Sequence, residues 1–187
     1  YIVMELVEGQ TLDDLLDREA RLDLMSALRF TAQLCAALAY AHRAKVIHRD
    51  VKPGNIFITP EGVLKLADFG LARILHGLKL TRTSVRGTPL YMAPEQIRGT
   101  DLDFRTDLYA VGCVMYEMVT GSPPFIEGDV YYHHVHTPPR PPSEMVPELP
   151  ESLDVLILSC LHKDKRKRVS SAEHIRQALI EIARSVP

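Results

Sequence analysis

Residues 105–120 carry an almost unbroken apolar run, Asp107-Leu-Tyr-Ala-Val-Gly-Cys-Val-Met-Tyr-Glu-Met-Val119. A helix that is apolar on every side has to be buried on every side. That one element therefore requires a globular chain built around it. The 187 residues are enough for one domain with a sizeable core, and 46% apolar with 25% charged residues is ordinary for such a domain. The net charge of −2 gives no sign of nucleic-acid binding.

The helices that would cover the core are also legible. Thr11-Leu-Asp-Asp14 has the form of a capping box and starts a short helix. Leu24, Leu28, Thr31, Cys35, Leu38 and His42 recur at steps of four and three, which predicts one long amphipathic helix over 23–44. Leu153, Leu156, Ile157 and Cys160, then Ala172, Ile175, Leu179 and Ile182, predict two closing helices. Two short apolar runs, Asn55–Ile58 and Val63–Leu66, flank Thr59-Pro-Glu-Gly62, where Pro second and Gly fourth suit a type I turn; this predicts a hairpin. Residues 67–100 show no periodicity and are expected to form a long loop, a length that in a compact domain signals function. Residues 137–150 hold six prolines and are read as an extended connector. The fold class is mainly α with one short hairpin.

Three cysteines, Cys35, Cys113 and Cys160, lie in apolar stretches without paired spacing and are read as reduced core thiols. The uncharged run from Phe30 to His42 is too short to span a membrane. The chain opens without Met inside an apparent strand, Tyr1–Met4, with no signal peptide, so a fragment of a longer cytoplasmic protein is expected.

The chemistry lies in the loops. His48-Arg-Asp-Val-Lys-Pro-Gly-Asn55 follows the long helix, and Asp68-Phe-Gly70 follows the hairpin. Asn55 and Asp68 offer hard oxygen ligands suited to Mg²⁺. Asp50 can accept a hydroxyl proton, and Lys52 can neutralise charge on a moving phosphoryl group. Phosphoryl transfer needs positioning and charge neutralisation above all.

With Ala93-Pro-Glu95, these motifs in this order resemble the protein-kinase signature set across essentially the whole chain. The resemblance implies a kinase-like C-terminal lobe (α+β once an N-terminal lobe is included), with 1–187 a partial catalytic domain. It implies Asp50 as catalytic base, Lys52 beside the γ-phosphate of ATP, and Asn55 and Asp68 as ligands of Mg²⁺ or alternatively Mn²⁺. Met4 resembles the gatekeeper, the backbones of Glu5 and Val7 the adenine-binding hinge, Phe57 the pocket floor, and Asp14 a ribose contact. Lys52 two residues after Asp50, and Gly87-Thr-Pro-Leu-Tyr-Met-Ala-Pro-Glu95, resemble Ser/Thr rather than Tyr kinases. By the same likeness Thr88 bonds Asp50 and Lys52, Asp107 anchors the loop around His48, and Arg168 pairs with Glu95.

Arg49 before the catalytic Asp marks, in that family, enzymes switched on by loop phosphorylation. Thr81, Thr83 and Ser84 are then the candidate sites, with Arg49 and Arg73 receiving the phosphate. Protein substrates with Ser or Thr, and a kinase–kinase dimer for trans-autophosphorylation, are the implied partners. Val130–Ser143 and Leu153-Asp-Val-Leu156 look most like bacterial eukaryotic-like Ser/Thr kinases. Between Gly128-Asp129 and His134-Val135 the chain is shorter than that pattern by about one to two helical turns of about 3.6 residues, which argues against the usual docking helix there.

No Gly-rich loop, strand Lys or partner Glu occurs in these residues, so a pseudokinase or binding module is the competing reading; the intact Asp50, Lys52, Asn55 and Asp68 argue for the enzyme. Tyr131-Tyr-His-His-Val-His136 is read as solvated surface rather than a metal site. Pro138-Pro-Arg-Pro-Pro142 is read as a connector rather than an SH3-type ligand, and His162–Arg168 as an exposed loop rather than a nucleic-acid patch.

Overall fold

The computed structural model describes residues 5–69 and 89–186. The chain order is β1 (Gln10–Thr11), α1 (Leu12–Glu19), α2 (Leu24–Arg43), β2 (Ile56–Ile58), β3 (Leu64–Leu66), α3 (Pro94–Arg98), α4 (Arg105–Thr120), α5 (Val130–His136), α6 (Glu151–Cys160) and α7 (Ala172–Ser185). The expected strand Tyr1–Met4, and Met4, Gly70, Arg73, Thr81, Thr83, Ser84 and Thr88, lie outside the described residues.

Helix α4 is the trunk. Thirteen of its sixteen residues are buried, as its composition demands. Helix α2 lies against it and against α7, and α6 covers another face. By length and composition α2 could cross a membrane, but half of that stretch is buried in the core. The periodic positions Leu28, Thr31, Cys35 and Leu38 all point inward, and the Thr31 hydroxyl is satisfied by donating to the Ala27 carbonyl at 2.8 Å. Leu153, Leu156, Ile157 and Cys160 of α6 are buried, as are Ala172, Ile175, Leu179 and Ile182 of α7. All three cysteines are buried and unpaired.

Local signals act as written. The Thr11 hydroxyl accepts from the Asp14 amide at 3.1 Å, and the Asp14 carboxylate accepts from the Thr11 amide at 3.0 Å, closing the box that starts α1. The hairpin turns through Thr59–Gly62 with the Gly62 amide on the Thr59 carbonyl at 2.8 Å. Gly62 sits at φ +76°, the left-handed step that follows a type I turn in such hairpins.

Several expectations are corrected. The hairpin is part of a three-stranded antiparallel sheet in the order β1-β2-β3, because Gln10 and Thr11 pair with Ile58 and Phe57. The loop 67–100 contains α3: Pro94 opens it, the Gln96 side chain caps the Ala93 amide at 3.0 Å, and Gly99 ends it at φ +65°. Helix α5 is present at seven residues, and His134 on it is fully buried, not solvated. Its ring meets Tyr109, with Nδ1 and the phenol oxygen 2.8 Å apart. The proline stretch turns at Pro142–Glu144 and buries Pro142, Val146 and Leu149, so it is a packed strap. In the segment 162–168, Arg166 and Lys167 are exposed, but Arg168 is buried and the Lys163 ammonium lies 4.5 Å from the Phe125 ring centre.

Helices α4 and α6 cross at Gly112, where a Cβ would stand 2.7 Å from the Cys160 Cβ and 3.1 Å from the Leu161 side chain. Gly112→Ala is therefore expected to cost about 1–3 kcal/mol by overpacking, read as a lower denaturant midpoint at unchanged slope. A neutral result would mean the helices separate without loss.

Candidate active site

The loop between α2 and β2 hangs from one buried carboxylate. Asp107, in the first turn of α4, is 1% exposed. Its Oδ1 accepts the Arg49 amide at 2.8 Å; its Oδ2 accepts the His48 amide at 2.9 Å and the His42 Nε2–H at 2.8 Å. Arg49 takes φ +70°, a costly value for a side-chain-bearing residue, and two of these bonds hold the backbone directly before it. The Gln96 amide of α3 donates to the Arg49 carbonyl at 2.9 Å.

His48 is fully buried. Its Nδ1 accepts the Asp50 amide at 3.2 Å, which leaves the proton on Nε2 to donate to the Ala67 carbonyl at 2.8 Å. The same ring meets Phe69 edge-on at 4.7 Å. Ala67 also donates its amide to the Asn55 carbonyl at 2.9 Å. The end of the hairpin is thus tied to the loop at two points, immediately before Asp68.

Asp50, Lys52 and Asn55 converge. The Asp50 Oδ2 accepts from Lys52 Nζ at 2.8 Å and from Asn55 Nδ2 at 3.0 Å, and Asn55 Nδ2 also donates to the Asp50 carbonyl at 2.7 Å. The 3₁₀ turn Pro53–Asn55 brings the amide back to Asp50. The Asp50 and Lys52 side chains remain 47% and 40% exposed, so water screens the pair. Asp68 is exposed in the left-handed region at φ +62°, with no hydrogen bond or ion pair to a described residue. Among the described residues Asn55 Oδ1 and the Asp68 carboxylate have no partner, and as hard oxygen donors they fit Mg²⁺.

Of the expected hinge residues, Glu5 and Val7 lie in the segment before β1, and the Glu5 carboxylate pairs with Lys65. Phe57 is half-buried on β2, between Thr11 and Lys65 in register. Asp14 spends one oxygen on the α1 cap, where it also accepts the Thr11 hydroxyl at 2.6 Å. The Arg49 Nε is buried without a hydrogen-bond partner among the described residues.

Glu95 and Arg168 meet as a two-point pair at 2.6 and 2.7 Å, with side chains 6% and 0% exposed. Thr106 donates to Glu95 at 3.0 Å, and Arg168 reaches the His162 and Arg105 carbonyls at 2.8 and 2.9 Å. Burial alone would raise the Glu95 carboxyl; the Arg168 bonds and charge outweigh it and hold it below its ordinary value.

His42 escaped the sequence reading as a site residue. It sits in the apolar stripe of α2, and only its polar ring at that helix's end hinted at a partner.

The chain matches the protein kinase domain family over residues 1–180. It is 43% identical over 187 residues to the probable serine/threonine-protein kinase PknB of Bifidobacterium longum, covering 96% of this chain and 27% of that protein. It is 42% identical over 193 residues to serine/threonine-protein kinase PknB of Mycobacterium leprae, covering 100% of this chain and 31% of the relative. The chain belongs to the protein kinase family, and it spans under a third of the length of these relatives. ATP and divalent metal are the family's general requirements.

Arg168→Leu leaves Glu95 buried without a countercharge and is expected to cost about 3–5 kcal/mol in chemical denaturation. Glu95→Leu with Arg168→Leu should lose less than the sum of the single changes; strict additivity would show that the two side chains do not interact.

Proposed function

We propose that the full-length protein transfers the γ-phosphoryl group of ATP to Ser or Thr hydroxyls of protein substrates. The observation that carries this reading is the Asp50 carboxylate, with Oδ2 held by Lys52 and Asn55 and Oδ1 free of any described partner. Its backbone position is fixed through His48 and Asp107.

In this reading the substrate hydroxyl oxygen attacks the γ-phosphorus in line, and the bond to the β–γ bridging oxygen breaks, releasing ADP. Asp50 accepts the hydroxyl proton. Lys52 Nζ sits beside the charge spread over the transferring group. Asn55 Oδ1 and Asp68 would hold Mg²⁺, with Mn²⁺ as the alternative; when bound, the ion neutralises phosphate charge. The adenine would lie against Glu5, Val7 and Phe57. We place this chemistry in the cytoplasm, where ATP is supplied.

Asp50→Asn keeps size but cannot accept the proton. It is expected to lower kcat by about 10²–10⁴-fold while circular dichroism and denaturation stay near wild type. Near-wild-type kcat in that variant would remove Asp50 as base. An inactive wild-type full-length protein supplied with Mg²⁺ and ATP would instead favour a binding module.

The regulatory part of the proposal places a phosphate on Thr81, Thr83 or Ser84, received by Arg49 and Arg73 and formed in trans by a second copy. A phosphate adds about −1.5 to −2 charges and three acceptor oxygens. The Arg49 Nε–H, without a partner among the described residues, supports such a receiver. Alanine at all three positions is expected to reduce activity at least tenfold, about 1.4 kcal/mol in the barrier. Unchanged activity would make Arg49 a structural residue only.

A further inference from the structure

The hairpin that carries the two expected ion ligands is also gripped at the end away from them. Asn55 immediately precedes β2, and Asp68 lies two residues after β3. At that end the Ala67 amide donates to the Asn55 carbonyl at 2.9 Å, and the His48 imidazole donates to the Ala67 carbonyl at 2.8 Å. At the far end the half-buried Gln33 side chain of α2 makes two bonds. Its Nε2 donates to the Gly62 carbonyl at 3.1 Å, and its Oε1 accepts the Leu64 amide at 2.9 Å. One turn earlier on α2, the Arg29 guanidinium lies over the same bend, 3.4 Å from where a Cβ on Gly62 would stand.

The two Gln33 bonds have the pattern of a strand pairing. β2 and β3 run antiparallel, with Phe57 opposite Lys65, and β3 is the edge of the sheet among the described residues. A residue of a parallel neighbour would accept one amide of β3 and donate to the carbonyl two residues before it. The Gln33 amide does both, so it takes the place of one residue of such a strand. A slip of β3 by one residue would break both bonds and turn the buried Leu64 to the other face.

We propose that Gln33 is a positioning residue for the divalent ion: by fixing how β3 lies along α2, it holds Asn55 Oδ1 and the Asp68 carboxylate at one spacing. Both strands are only three residues long, so their own ladder is short. A tilt at the turn is carried from Leu64 to Asp68 over about 13 Å, four residues at about 3.3 Å each. Helix α2 opposes that tilt at both ends of β3. Gln33 acts at the turn; His42, about 14 Å further along the helix, acts at Ala67 through Asp107 and His48. The Gln33 side chain carries no charge and touches no ligand, so its effect is geometric.

This role rests on the reading of Asn55 and Asp68 as ion ligands, and the test separates the two. In full-length protein the probe is Mn²⁺ with ADP, read by electron paramagnetic resonance of the free ion. The grip itself is read by hydrogen exchange at the Leu64 amide. Gln33→Met keeps the length of the side chain and removes both bonds. It should open the Leu64 amide to exchange and weaken Mn²⁺ binding by about tenfold, in protein shown by circular dichroism to be folded. Gln33→Glu keeps the acceptor for Leu64 and loses the donor to Gly62. It should keep Leu64 protected and fall between wild type and Gln33→Met in Mn²⁺ affinity. A residue that only stabilises the fold would lower the denaturation midpoint in both variants and leave Mn²⁺ affinity at the wild-type value; that result would overturn the proposal. Wild-type protein that takes up no Mn²⁺ would remove the ion site itself, and this role for Gln33 with it.

Discussion

Three donors converge on the Asp107 carboxylate: two backbone amides and one imidazole. A buried carboxylate without partners would cost several kcal/mol; here every donor comes from a part of the chain that must be held. The two amides are those of His48 and Arg49, directly before the φ +70° turn of the Arg49 backbone. Strain of about 1–3 kcal/mol at such a residue persists only where the surroundings over-determine it. Without Asp107, the His48 and Arg49 amides would both lose their acceptor inside the core. Asp50 would then have no fixed place to stand.

The same helix serves three separate neighbours along about 15 Å of its length, at 1.5 Å per residue from Asp107 to Glu117. Asp107 faces the loop, Gly112 admits α6, and Glu117 accepts the Tyr91 hydroxyl. Five-residue steps on a helix with 3.6 residues per turn rotate by about 140°, so these three positions cannot share a face. That explains why the run between them is apolar all round. A helix with neighbours on every side has no face left for solvent, and its few polar groups are each tied to a named partner. Tyr109 fits the same rule: its ring lies 4.8 Å from the Arg168 guanidinium and its hydroxyl meets His134.

What was legible in the sequence was local or periodic. The Thr11 box, the Thr59–Gly62 turn and the inward faces of α2, α6 and α7 each depend on residues within one or two turns of each other. What was missed depends on distant pairing. Strand β1 is two residues long and exists only because β2 lies beside it. His134 looks like one of several surface histidines until Tyr109 and Phe125 close around it. His42 has the spacing of a core residue, and only the approach of Asp107 reveals its polar task. Helix α3 is the exception, since Pro94 and Gly99 were readable start and stop signals; the aperiodic stretch around them hid so short an element. The motif residues Asp50, Lys52 and Asn55 were legible because their spacing within one loop already brings them together.

The acids of the site divide by how completely they are bonded. Asp107 and Glu95 are buried, and both oxygens of each accept at least one strong donor. A group so satisfied has little capacity left for a ligand, and removing its donors would be expensive. It holds structure. Asp50 and Asp68 are the reverse: water reaches both, and among the described residues Asp50 Oδ1 and the Asp68 carboxylate have no donor. Hydration stabilises them until a ligand takes its place, and then their open lone pairs can receive a proton or a cation. Evenly shared bonding would give four half-committed carboxylates, none rigid and none free. Concentrating the donors on Asp107 and Glu95 keeps the frame stiff, and it leaves Asp50 Oδ1 and the Asp68 carboxylate without a partner among the described residues, open to the chemistry proposed above.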